Sequence, residues 1–332
     1  MTFLGTSAGV PTRARNVSCV GLRLPQRGEV WLFDCGEGTQ HQLLRSELNI
    51  SQITRVFVTH LHGDHVYGLM GLLATCGMSG HARGITVYGP RGLEEYVREV
   101  SRRTQLHTSY PLEVVTVETG RVFEDAEFAV ECAPLKHRLP AFGYRVSEKD
   151  RTGHFDVEKA KAAGIPPGPL YGRLKRGERV TLEDGRTFDG ADLCGPTLRG
   201  RSVVYCTDTI YCRAAVELSR GADLLVHEAT FAERDEHLAV RSQHSTARMA
   251  ARVALEAGAR RLVITHFSPR YFPGNEVEPR DLLREARDLF PETEMAHDFL
   301  TVAVPREGDE ADGSGEADGS ETGGEAGGGG AG

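Results

Sequence analysis

No stretch of this chain approaches the ~18 consecutive apolar residues of a membrane-spanning helix, so a helical membrane protein is not expected. The opening residues, Met1-Thr2-Phe3-Leu4-Gly5, lack a basic and apolar leader, and secretion is not expected either. Cysteine is sparse. Cys19, Cys35, Cys76, Cys132, Cys194, Cys206 and Cys212 are odd in number and form no C-x-x-C pair. That argues against a disulfide framework or a cysteine zinc knuckle, and for reduced, mostly buried thiols in a cytoplasmic protein. No internal repeat suggests a solenoid. Nor is there an excess of positive charge: 39 Lys and Arg stand against 47 Asp and Glu, a net charge of −8. Taken whole, that balance argues against a polyanionic ligand. Eight acids and no base lie between Glu307 and Gly332, however, so 47 − 8 leaves 39 acids against 39 bases in residues 1–306. The body is neutral, and a local basic patch rather than the net charge then governs attraction to phosphate.

What is present is an ordinary globular composition, 39% apolar and 26% charged over 332 residues, enough for a substantial core. Short runs of Val, Ile, Leu and Phe between Gly, Asp and Pro predict strands at Val30–Phe33, Arg55–Thr59, Ile85–Tyr88, Leu112–Val117, Glu127–Cys132, Arg201–Cys206, Asp223–His227 and Arg261–Thr265. Helices are predicted near Val66–Met78, Leu93–Thr104, Thr246–Ala257 and Pro279–Leu289. Interleaved helices and strands in two comparable stretches predict an α/β fold, a four-layer αββα sandwich. The interval from Ser147 to Gly200, with nine glycines and four prolines, breaks the pattern and is too long for an ordinary loop. We read residues 1–306 as one domain with an arm inserted at about 147–200, and residues 307–332 as a disordered acidic, Gly-rich tail whose plainest role is solubility.

The strongest chemical signal is His60-Leu61-His62-Gly63-Asp64-His65, directly after the strand ending at Thr59. Three imidazoles and a carboxylate within six residues form a borderline-soft N/O set suited to zinc. In this turn His60 and His62 are able to serve one metal while Asp64 and His65 serve another. Three more such residues follow predicted strands: His137, Asp208 and His266. Alone, His137 or His266 reads as a structural histidine; beside the six-residue motif they read as ligands.

H-x-H-x-D-H resembles the signature of the metallo-β-lactamase superfamily, and His137, Asp208 and His266 stand in the order of that family's remaining ligands. The resemblance implies two Zn²⁺ per subunit: His60, His62 and His137 on the first, Asp64, His65 and His266 on the second, and Asp208 bridging. One departure is Thr207, where glycine is usual before the bridging aspartate.

Four features resemble the ribonuclease Z family within that superfamily. Pro11-Thr12-Arg13-Ala14-Arg15-Asn16 is similar to its P-x-K-x-R-N loop, with Arg13 in place of Lys. His227-Glu228-Ala229-Thr230 and His244-Ser245-Thr246 match its HEAT and HST motifs, although capping and polar packing are the plainer reading of each. The fourth is the stretch from Gly164 to Glu178, similar to a flexible RNA-binding exosite arm, with Arg173, Lys175, Arg176 and Arg179 set against one acid, Glu178. The resemblance covers about Thr2 to Val304. It implies an endoribonuclease that removes 3′ trailers from precursor tRNA. Asp64, His244 and Glu228 would be its catalytic residues, with Arg13, Arg15, Asn16, Arg173, Lys175 and Arg176 on RNA. A homodimer is implied by the same likeness. The alternatives are another hydrolase of the fold, a small-molecule phosphodiesterase among them, and a non-catalytic RNA-binding protein; the intact ligand set disfavours the last.

Overall fold

The computed structural model describes residues 1–306. The acidic tail, for which disorder is expected from composition, lies outside the described residues. Six strands form the first sheet in chain order: Thr2–Gly5, Cys19–Leu24, Glu29–Phe33, Ile53–Phe57, Ile85–Gly89 and Leu112–Thr116, β1 to β6. The next three, Gly120–Glu124, Phe128–Leu135 and Ala141–Glu148 (β7 to β9), are an antiparallel meander. A separate hairpin, Arg179–Thr181 with Thr187–Asp189 (β10 and β11), follows. Antiparallel to β9 lies Ser202–Cys206, and the parallel strands Leu224–Glu228, Leu262–Thr265 and Thr293–Met295 follow it (β12 to β15), giving a seven-stranded second sheet.

The strands that the sequence announced most clearly are those buried on both faces. In β3, Val30 and Leu32 pack under the helices, while Trp31 and Phe33 face the opposite sheet. In β12, Val204 and Cys206 meet the second helical layer, and Val203 and Tyr205 meet the first sheet. Parallel strands covered on both sides read as continuous apolar runs. The helices Thr39–Leu44, Leu69–Met78 and Leu93–Thr104 cover the first sheet, and Arg213–Leu218, Ala247–Ala257 and Pro279–Arg287 cover the second. The four layers αββα are therefore present as expected. Thr246 caps Ala247–Ala257 by accepting from Met249 N at 3.2 Å, and Gly258 closes it at φ 62°. The structure extends the prediction with β1, β2, β7, β9, β10, β11 and β15. Most are short edge strands or members of antiparallel pairs with a polar outer face.

An aromatic seam fills the space between the sheets: Phe33 stacks on Phe57 at 5.4 Å and Phe57 on Tyr88 at 4.9 Å. Its two polar ends point one way. Tyr144 Oη donates to Val58 O at 2.7 Å and Tyr205 Oη to Asp34 Oδ2 at 3.2 Å. The edge they approach is where His60, His62, Asp64, His65, His137, Asp208 and His266 gather.

The interval that broke the sequence pattern has a core of its own. Helices Val157–Ala162 and Pro169–Lys175 and the hairpin close around Phe155, Ala160, Ile165, Leu174, Val180 and Leu193. At its root, Glu148 pairs with Arg201 at 2.9 Å and with Arg306 at 2.5 Å.

Candidate metal centre

Four strands deliver their C-terminal ends to one edge. His60 and His62 follow β4, His137 follows β8, Asp208 follows β12, and His266 follows β14. The helix expected from Val66 begins earlier, as a first turn Gly63–Val66, so Asp64 and His65 ride on a helical turn. His60 and His62 precede that turn, His62 in extended backbone. Gly63 lets this turn pass beneath a ring: a Cβ there would lie 2.1 Å from the Tyr67 ring. Asp208 and His266 hold left-handed backbone conformations, φ 53° and 62°, which are uncommon for non-glycine residues.

The donor atoms fall into two groups. His62 Nδ1 lies 2.9 Å from His60 Nε2 and 3.2 Å from His137 Nε2, and Asp208 Oδ2 lies 3.5 and 3.8 Å from the same two nitrogens. On the other side Asp208 Oδ1 is 3.1 Å from His65 Nε2 and 3.2 Å from His266 Nε2, with Asp64 Oδ2 at 3.4 and 3.6 Å from them. Asp208 thus gives one oxygen to each group. For a tetrahedral ion with ligands at ~2.0–2.2 Å, donors stand about 3.3–3.6 Å apart, close to these separations. Hydrogen bonding does not account for them. One proton cannot serve three converging nitrogens, and His65 Nε2 and His266 Nε2 are buried without any hydrogen-bond partner. The residues fit a pair of cations.

The remaining ring nitrogens are held by a repeated device. Asp34 accepts from Thr59 Oγ1 at 2.9 Å, and that hydroxyl faces His60 Nδ1 at 3.1 Å; Asp34 also faces His65 Nδ1 directly at 2.8 Å. Glu228 accepts from Thr230 Oγ1 at 2.6 Å, that hydroxyl faces His266 Nδ1 at 2.9 Å, and Glu228 faces His244 Nδ1 directly at 2.8 Å. Each buried carboxylate therefore orients two imidazoles, one through a threonine. With Nδ1 carrying the proton on His60, His65 and His266, their Nε2 atoms present lone pairs to the centre, whereas His62 faces it through Nδ1. Gln243 O receives His137 Nδ1 in the same way, at 3.2 Å.

Electrostatics follow the burial. Burial and the neighbouring His65 push the His60 imidazolium down to about 2, so this ring is neutral. Burial likewise lowers His62 and His137. At Asp208 burial opposes the charge, but His266, His65 and His60 outweigh it and hold the carboxyl well below the usual range. Asp64 is lowered against burial by His65 and His266. For His244 burial works against the proton, yet the charge and hydrogen bond of Glu228, with Asp208, lift it to about 9.

Of the three residues expected to carry chemistry, Asp64 and His244 line the central cavity of about 560 Å³. His244 Nε2 is 3.9 Å from Asp208 Oδ2. Glu228 is wholly buried, with its oxygens taken by Thr209 N, Thr230, Ser245 N and His244. Its contacts reach His244 and Thr230 and not the cavity. Arg15 turns inward: its Nη1 donates to Thr6 Oγ1 and Ala296 O, both at 2.7 Å, and the guanidinium lies over Phe267. Asn16 spends its amide on Asp298 and its side chain on Glu37 O. These two brace the loop, and only Arg13 of the three expected RNA contacts is exposed with its side chain uncommitted. In the arm, Arg173 and Arg176 share Glu178, and the hairpin brings Asp189 to Arg179 at 3.2 Å. The four bases clustered at residues 173–179 thus face two acids rather than one, leaving Lys175 exposed and unpaired.

Sequence reasoning missed Asp34, Thr59 and Arg138. Asp34 had a signal, an acid ending an apolar strand before Cys35-Gly36, the placement that marks Asp208. Thr207, the departure before Asp208, is buried and donates to Asp208 Oδ1 at 2.8 Å.

The sequence model of the Beta-lactamase superfamily domain matches residues 31–157 and 176–267. The chain is 63% identical to "Ribonuclease Z" of Nostoc sp. over 306 residues, 92% of this chain and 95% of that protein. It is 62% identical to the protein of the same name from Trichodesmium erythraeum, over 92% and 95% of the two chains. Among solved structures it is similar to human tRNase Z, short form, at 31% identity and a TM-score of 0.64, covering 92% of this chain and 98% of that one. A metallo-β-lactamase fold protein of Bacillus subtilis, at 18% identity and a TM-score of 0.62 over 90% of this chain and 96% of that one, shares the fold.

Proposed function

Because this chain belongs to the ribonuclease Z family, on the β-lactamase superfamily domain, we propose that it is an endoribonuclease that removes 3′ trailers from precursor tRNA. It cleaves 3′ of the discriminator nucleotide, leaving a tRNA with a 3′ hydroxyl and a trailer with a 5′ phosphate. The observation that carries this reading is the split carboxylate of Asp208 between two donor groups, with His244 facing the same cavity.

His60, His62, His137 and Asp208 would hold one zinc ion, and Asp64, His65, His266 and Asp208 the second. Such a pair supplies the Lewis acidity that makes water a nucleophile near neutral pH and neutralises charge building on the phosphate. The chain's own residues do the rest. Asp64, anchored by Gly9 N at 2.8 Å, accepts the proton of the attacking water. His244 enters protonated, kept so by Glu228, and gives its Nε2 proton to the leaving 3′ oxygen. Glu228 touches no substrate; it fixes the ring of His244 and, through Thr230, that of His266. The arm at residues 149–199 binds the body of the tRNA through phosphates, with Lys175 as its uncommitted cation and Arg173 and Arg176 exchanging Glu178 for RNA.

Free, mostly buried cysteines support a reducing, cytoplasmic setting. No helix among the described residues is long and apolar enough to cross a membrane. A homodimer, in which each arm serves the partner's centre, is part of the proposal. The decisive test incubates the metal-quantified protein with a 3′-extended precursor tRNA and maps the cut. Cleavage at the discriminator is the expected result; no cleavage, or stepwise shortening of the trailer, rejects the reading.

A further inference from the structure

The walls of the metal cavity carry acids: Glu37, Asp64 and Asp208. Among the described residues that line it, a single Lys or Arg is present, Arg138. It follows the ligand His137 directly and its charge acts on His62, which places the guanidinium near the first donor group. The side chain is exposed, and no hydrogen bond or ion pair engages it among the described residues. That is unusual here. Most other arginines near acids are committed, as Arg173, Arg176, Arg179 and Arg15 are. The metal ligands lie at the floor, with side chains 0–3% exposed for His60, His65, His137, Asp208 and His266, whereas Arg138 stands at the rim.

We infer that Arg138 is an RNA-binding residue that grips a phosphate next to the scissile one. The inference rests on the reading of the chain as a nuclease. A phosphodiester at the floor meets the two donor groups and His244. A strand running out of the cavity brings its next phosphate to the level of the rim, where a planar guanidinium with free donors matches two phosphate oxygens at once. Among the described residues that line the cavity no other Lys or Arg faces its acids, so Arg138 also offsets their repulsion of the incoming strand.

The test compares wild type with Arg138→Ala and Arg138→Lys on precursor tRNA and on a chromogenic phosphodiester that holds one phosphate. For Arg138→Ala, the ratio of kcat/KM on precursor tRNA to that on the small diester should fall about ten- to hundredfold, through KM, as loss of a charge-assisted contact predicts. The slope of log Kd against log salt, measured on His244→Ala to prevent cleavage, should shrink by about 0.7 for one single-strand phosphate, and Arg138→Lys should restore it. Methylphosphonate placed singly at phosphates flanking the cut should weaken wild type at one position and leave Arg138→Ala insensitive there. Equal losses on both substrates, or no position whose effect disappears in Arg138→Ala, overturns the inference. If wild type itself leaves precursor tRNA uncut, the nuclease reading falls instead.

Discussion

Threonine hydroxyls are modest ligands of nothing, yet Thr59 and Thr230 decide how the metal centre is presented. Each gives its hydrogen to a buried carboxylate and offers its lone pair to an imidazole N–H, Thr59 to His60 and Thr230 to His266. Valine, of equal shape, would leave Glu228 short of one donor and free the His266 ring to turn. We expect Thr230→Val to weaken zinc binding by about 10–100-fold, read by competition with a chromophoric chelator, while Thr230→Ser stays near wild type. An unchanged affinity would remove the hydroxyl from the account. His244 belongs to a different class, because its Nδ1 is tied to Glu228 while its Nε2 faces the cavity. His244→Ala is expected to keep two zinc ions per chain by elemental analysis and to lose about 10²–10⁴ in turnover. Loss of one zinc ion would instead make His244 a ligand, a role its position near Asp208 and His266 also permits.

At the scale of elements, the arm is a small folded unit rather than a long loop. Its polypeptide leaves and returns through paired backbone, Arg151 with Leu198 and Phe155 with Cys194, and six buried side chains hold it together. Residues 152–197 can therefore be replaced by a short Gly-Ser link across that pairing. The shortened protein should retain its zinc and its turnover of a small phosphodiester, and show a raised KM for precursor tRNA. A loss of zinc on replacement would mean that the arm braces the centre, and would count against a purely RNA-binding role. The strands show the converse economy. The expected ligands stand just past the ends of buried strands, or, for Asp64 and His65, on the helical turn that follows one, because there rigid backbone meets open space.

Over the whole molecule, the two sheets and the metal centre depend on each other. Without cations, two acids and six imidazoles crowd one edge, and the Nε2 atoms of His65 and His266 stay buried and unpaired. Binding to the folded state alone adds RT ln(1 + [L]/Kd), about 4 kcal/mol at a thousandfold excess over Kd. A chelator should therefore lower Tm by several degrees and zinc should restore it, whereas Asp208→Ala should respond to neither; a Tm indifferent to chelation would refute the coupling. Much of this was readable from sequence. Local chemistry is written locally: the six-residue histidine turn, the continuous apolar runs of doubly covered strands, and the cap and stop of Ala247–Ala257 need only near neighbours. Asp34 escaped notice because its partners lie far along the chain, Tyr205 being 171 residues away, and Arg138 because only the folded cavity shows it to be the one Lys or Arg among the described lining residues. The same holds for Arg15 and Asn16, which look like RNA contacts in the sequence and are turned inward by Ala296 and Asp298. The sequence determined which chemistry this chain carries, since side-chain type and spacing along one strand fix the donors available. Tertiary structure decided which charges are committed and which remain free, because burial and distant pairing, rather than residue identity, set the energy of each ionised group.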